Sequence, residues 1–190
     1  MQSESAPRWV VLSSTCAPVL LIGGWQLAAA RQPGGFDPVA QTISALAARG
    51  STDRWIMTTA LAGVGVCHMI TAAGLTTAAL PGRLLLGIGG AATVLLAGFP
   101  LLATGQSPVH IAAASVAFAT LSLWPALAWR RHGEPRPGIP LIAASGLLGL
   151  LGWFGLEFLR DGPRIGLSER FLAGAQALWP LATVLLTRRR

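Results

Sequence analysis

Apolar residues in this chain fall into long unbroken stretches with almost no period-two alternation, and six of them lie near 9 to 30, 55 to 79, 84 to 104, 109 to 129, 139 to 159 and 169 to 187. A helix needs about 20 residues to cross roughly 30 Å of hydrocarbon, so each stretch is long enough to span a membrane. The breaks between them carry turn chemistry: Pro33-Gly34-Gly35, Pro81-Gly82, Gly105 to Pro108, Gly133 to Gly138 and Asp161-Gly162-Pro163. The pattern predicts an all-α fold, a polytopic membrane helix bundle of six transmembrane helices in one domain over residues 1–190, with both termini on one side. The polar stretch from Arg31 to Arg54 departs from it. There Phe36, Val39, Ile43 and Leu46 recur at helical spacing, Asp37 is placed to cap, Pro38 suits the first helical position and Gly50 suits the stop. These predict a short amphipathic helix in the first outer loop, lying at the membrane interface or packed over the bundle mouth as a lid.

Composition strengthens the membrane reading. Of 190 residues 53% are hydrophobic and 11% charged, with a mean hydropathy of +0.60, against about 25% charged in an ordinary soluble domain. The net charge of +7 comes from arginines that flank apolar runs instead of coating one face, which argues against nucleic-acid binding. Arg8, Arg83, Arg130, Arg131, Arg136, Arg188, Arg189 and Arg190 fall on the face holding the termini. Arg31, Arg49, Arg54, Arg160, Arg164 and Arg170 fall on the other. The positive-inside bias therefore predicts cytoplasmic termini. Trp9, Trp55 and Trp129 sit at predicted helix ends, as interfacial indoles do. The first stretch, about 22 residues long, exceeds the roughly 7 to 15 of a signal-peptide core, so it is expected to remain as a helix.

Few residues offer chemistry. His110 follows Ser107-Pro108, a cap and first-turn pair, which puts its imidazole at the outer start of the fourth span as a base, ligand or pH sensor, or as an interfacial His bonded to a loop carbonyl. Glu157 lies near the outer end of the fifth span, where a carboxylate needs a partner: Arg160 on the same helix, or Arg170. Ser168 is expected to cap the sixth span and Glu169 to favour the positive helix start. Arg170 opposes that dipole, which calls for an ion pair with Glu157 or Asp37. His68 stands near the middle of the second span as a midplane candidate, or as a neutral imidazole bonded to a neighbouring helix. Cys16 and Cys67 match no metal spacing and His132 sits in a cytoplasmic loop, so the sequence points to no metal and no cofactor. Asp37, for its part, has a complete role as a cap alone. Gly87 and Gly90, and Gly146, Gly149, Gly152 and Gly155, set small residues at near-helical spacing, a pattern that lets membrane helices approach closely. Leu123-Trp124-Pro125 and Leu178-Trp179-Pro180 form a weak internal repeat, of a kind that chance also produces in an Ala/Leu-rich chain.

Asp37 with Ile43-Ser44-Ala45-Leu46, Phe99-Pro100, His110, Gly166 to Arg170 and Trp179 together resemble the domain-of-unknown-function family 998, six-helix bacterial membrane proteins. The resemblance covers nearly the whole chain and implies an outward-facing cluster of Asp37, His110, Glu169 and Arg170. Glu157 and His68 join the candidates on their own placement. The function expected is binding of membrane lipids or a membrane-protein partner through that cluster. Two other classes stay open: a membrane-embedded enzyme using a His/carboxylate acid-base pair on a lipid or envelope substrate, and a small transporter, for which His68 is the only midplane support.

Overall fold

The computed structural model describes residues 6–103, 107–128 and 138–188. Among them are seven helices: α1 (Arg8–Ala30), α2 (Ile43–Leu46), α3 (Trp55–Gly74), α4 (Leu80–Gly98), α5 (Pro108–Ala128), α6 (Gly138–Leu159) and α7 (Ile165–Arg188). Five of them, α1, α3, α4, α5 and α6, are long and apolar enough to cross a membrane, which marks a membrane protein. The last, α7, has the length, but Glu169, Arg170 and Gln176 dilute its apolar content. Its outer surface agrees with the others: Phe171, Leu178, Leu185 and Leu186 are exposed on α7 as Leu12 and Val19 are on α1 and Ile142 and Leu159 on α6, an apolar exterior of the kind that suits a membrane.

Each long helix packs against its neighbours in sequence, and α7 returns to α1 to close a ring. Glycine sets the closest approaches. A Cβ on Gly65 would strike the Gly90 carbonyl and Val94, and one on Gly82 would strike the backbone of Ala128, so α3–α4 and α4–α5 meet at contact distances that no larger residue allows. The glycines of α6 behave differently from expectation: added methyls at Gly146, Gly149, Gly152 and Gly155 meet nothing within 4 Å among the described residues. Only Ala144 and Leu147 of α6 are buried, so this helix flanks α5 and α7 from outside.

Two apolar clusters divide the interior. One, towards α2, joins Leu21, Ile43, Leu46, Met57, Leu61, Val64, Leu96 and Ala177. The other, towards the opposite end, joins Val10, Leu75, Leu86, Leu121, Trp124 and Val184. Between them runs a polar waist: Ser13 and Thr71 share a 2.8 Å hydroxyl bond, and Gln176 Nε2 donates to Ser122 Oγ and to the Phe118 carbonyl, both at 2.9 Å. His68 lies in this waist, about 20 Å along α3 from Trp55 at 1.5 Å per residue.

The first loop corrects the expected lid helix. Asp37 Oδ1 accepts from Val39 N at 2.8 Å and Ala40 N at 3.3 Å, closing a single turn in which Pro38 starts no helix. Thr42, extended at φ −73° and ψ 158°, then caps the four-residue α2 by accepting from Ala45 N. Gly50 stops the segment as expected, at φ +100°. Here α2 touches α1, α3 and α7, and Arg49 N donates to the Leu101 carbonyl at 2.9 Å, so the segment is stitched over that end of the bundle. At the opposite end Arg83 donates to the Ala72 and Ala73 carbonyls at 2.8 and 2.6 Å, capping the last turn of α3. Arg130, Arg131, Arg136, Arg189 and Arg190, five of the eight arginines on the face assigned to the termini, lie outside the described residues, as do Trp129, His132 and positions 105–106 and 133–137 of two of the breaks.

Candidate functional site

The start of α5 follows from Ser107 and Pro108. The Ser107 hydroxyl accepts from His110 N at 3.4 Å, and the proline occupies a position whose missing N–H costs nothing. His110 is thereby turned inward, 4% exposed, with Nδ1 3.0 Å from the carbonyl of Phe99 at the end of α4. A carbonyl only accepts, so Nδ1 is the donor in this contact, and the lone pair of a neutral ring falls on Nε2.

Four residues after the start of α7, Glu169 is 3% exposed. Its Oε2 accepts from Ile43 N and its Oε1 from the Ser44 hydroxyl at 3.3 Å. Both donors belong to the first turn of α2, so one buried carboxylate ties α2 to α7. Leu167 N adds a 3.0 Å bond to the Val39 carbonyl. Gly166 makes this docking possible, since a Cβ there would overlap the Gln41 carbonyl and come within 2.9 Å of Gln41 N. The expected cap at Ser168 is corrected: α7 begins at Ile165, and the Ser168 hydroxyl donates back to the Ile165 carbonyl at 3.0 Å inside the helix.

Arg170 also departs from expectation. It makes no ion pair with Asp37 or Glu157; its Nη1 donates to the carbonyls of Pro38, Gln41 and Gly166 at 2.9, 2.7 and 2.8 Å. The guanidinium lies 5.2 Å from the Phe36 ring centre and 6.0 Å from that of Trp25, within cation–π range. Its reason for opposing the helix dipole is the loop backbone it gathers. Glu157 is occupied elsewhere: its Oε2 accepts from Arg164 N at 2.9 Å, closing the α6–α7 turn, and a methyl on Gly162 would overlap that carboxylate.

Two cavities meet at Glu169. The outer one, about 260 Å³, lies between α5, α6 and α7 under Thr42 and Ser44, and its wall includes His110, Glu169, Leu101, Ile111, Phe118, Phe154, Phe158 and Ile165. Phe118 and Phe154 pack edge to face with centroids 5.3 Å apart. The inner one, about 50 Å³, is a narrow shaft that descends between α1, α3, α4, α5 and α7 to His68, with Ser44, Thr93, Glu169 and Gln176 on its wall. Of the expected cluster, then, His110 and Glu169 share a cavity, Arg170 secures its roof, and Asp37 and Glu157 shape turns outside it. His68 reaches the same system from below. Sequence reasoning names Ser44 only within the Ile43-Ser44-Ala45-Leu46 motif and misses Thr93, Ser122 and Gln176, whose signal is depth in an apolar run, since Thr93 and Gln176 line the same shaft as His68.

The family model for protein of unknown function (DUF998) matches residues 15–186, so the chain belongs to that family. No curated protein and no solved structure matches the chain.

Proposed function

We propose that the protein crosses a bacterial cytoplasmic membrane six times, with α1, α3, α4, α5, α6 and α7 as the spans and both termini in the cytoplasm, and that it binds a membrane lipid in the outer cavity. The observation that carries this reading is the shared wall of His110 and Glu169, drawn from two different helices, in a cavity whose remaining wall is mainly apolar, with Phe118, Phe154, Phe158 and Ile111 beside the small hydroxyls of Thr42, Ser44 and Ser115. Mostly apolar pockets with a few convergent polar groups suit a ligand that is apolar along its body and polar at one end. The α6 wall is the one least embedded in the bundle, which favours a ligand entering sideways from the bilayer over one arriving from water. A membrane-protein partner is the weaker version, because a cavity of this shape takes a chain and not a surface.

The test is native mass spectrometry of the full chain released from membranes with its lipids retained. A stoichiometric lipid adduct is expected, reduced at least tenfold in His110→Leu and in a variant that fills the cavity, Ser115→Phe. Bare protein, or an adduct untouched by either substitution, overturns the reading. One observation favours catalysis as a second reading: Nδ1 of His110 is held by the Phe99 carbonyl, leaving Nε2 as a general base in the same cavity as a carboxylate. Under that reading the adduct of His110→Leu differs in mass from the wild-type adduct, as substrate differs from product.

A further inference from the structure

His68 is 1% exposed, and neither ring nitrogen has a hydrogen-bond partner among the described residues. Buried polar atoms in folded proteins are nearly always paired, with ordered water supplying the bond where the protein does not. A neutral imidazole holds one donor and one acceptor, so His68 asks for a partner that can both accept and donate. The elements around it supply none directly. Gly90 of α4 approaches so closely that a methyl there would sit 3.0 Å from His68 Cβ, and the nearby Thr71 hydroxyl is engaged by Ser13.

The shaft supplies the space. Its roughly 50 Å³ exceeds the 10–15 Å³ or so that one water requires, with room for about three. Its polar groups are also the right kind. Thr93 donates to the Gly89 carbonyl at 2.8 Å, which leaves its oxygen able to accept. Gln176 spends its amide N–H groups on Phe118 and Ser122, which leaves its amide oxygen. At the top stands Glu169, whose carboxylate borders both cavities.

We propose that the shaft is a water-binding site in which a short column of ordered water joins His68 to Glu169, giving the outer cavity a hydrated branch down to the middle of the bundle. Glu169 is then the partition between the two compartments: it holds α2 down through Ile43 N and Ser44, and it faces the water column below. This inference does not rest on the lipid reading. An empty outer cavity leaves the column in place, and a dry shaft leaves the lipid in place.

The test is solid-state NMR of the full chain in lipid nanodiscs, with nitrogen-15 in the histidine rings and magnetisation transferred from water. Each ring is assigned by the signal that vanishes in His68→Gln, His110→Gln or His132→Gln. Water transfer to the His68 ring, at a rate comparable with that to His110, is the expected result. Filling the shaft with Ala173→Leu should abolish transfer to His68 while leaving that to His110. No transfer to His68 in the wild-type chain overturns the proposal, and so does transfer that survives Ala173→Leu undiminished. Should that variant fail to fold, the wild-type measurement alone decides whether the shaft holds water.

Discussion

Replacing Arg170 by Met keeps most of the side chain's reach and removes the guanidinium, which isolates what the charge does. Two of its hydrogen bonds, to the Pro38 and Gln41 carbonyls, lie at the exposed surface, where water replaces a lost donor. Each is therefore worth about 0.5–1.5 kcal/mol net. The rings of Phe36 and Trp25 at 5.2 and 6.0 Å add roughly 0.5–1 kcal/mol each for a partly exposed cation. These contacts share one group and are not additive, so the expected loss is about 2–3 kcal/mol. It should concentrate in the segment that Arg170 gathers, and the global transition should move less than local opening does.

Trypsin reads that opening directly, because Arg31 and Arg49 flank the segment and are exposed. In Arg170→Met the rate of cleavage at these sites, in detergent and at low protease, should rise by on the order of 30-fold, which is what about 2 kcal/mol of local stability implies. Arg170→Lys should recover less than half of the loss, since an ammonium lacks the planar fork that reaches several carbonyls at once. An ion pair makes a different forecast: Asp37→Asn or Glu157→Gln would then be as damaging as Arg170→Met, with a strongly coupled double mutant. The backbone-gathering account requires coupling below about 1 kcal/mol in both cycles. Unchanged cleavage in Arg170→Met, or strong coupling to either carboxylate, refutes it.

Two further outcomes follow from geometry and charge. Gly166→Ala forces the loop backbone at Gln41 away from α7, so it should cost about 1–3 kcal/mol as an overpacked contact and release the same tryptic sites; a variant as stable as wild type by thermal unfolding in detergent shows that the loop yields freely. Reporter fusions after Arg136 and at Arg190 should read cytoplasmic and one between Ser51 and Arg54 external, whereas an external C-terminus removes both the six-span count and the orientation.

The long helices were legible because each is specified by its own apolar run and needs no distant residue to define it. Their ends were less so where one residue does two jobs. Pro81-Gly82 reads as a turn, yet α4 begins at Leu80, with the proline in its first turn and the glycine accommodating Ala128 of α5. Ser168 reads as a cap, yet α7 already runs through it. Asp37 and Thr42 are both cap-forming residues five positions apart, and only the docking of α2 over Glu169 decides that Thr42 starts the helix.

Site residues divide along the same line. His110 could be located because its cap, Ser107-Pro108, is local. The sequence points Arg170 to a carboxylate, but its acceptors are backbone carbonyls, which have no letter in a sequence and become visible only when the loop is placed. Gln176 and Thr93 stand alone in apolar runs and gain meaning only when α7 and α4 bring them to the shaft of His68. Glycine makes the point most sharply. Gly65 and Gly90 sit where α3 meets α4, and the same residue type on α6 faces outward with nothing near it. Spacing alone treats the two sets alike. What separates them is whether a second backbone arrives, and that depends on the order of helices around the ring: α3 and α4 are held on both sides deep in the bundle, while α6 is left at its edge as the wall of the outer cavity.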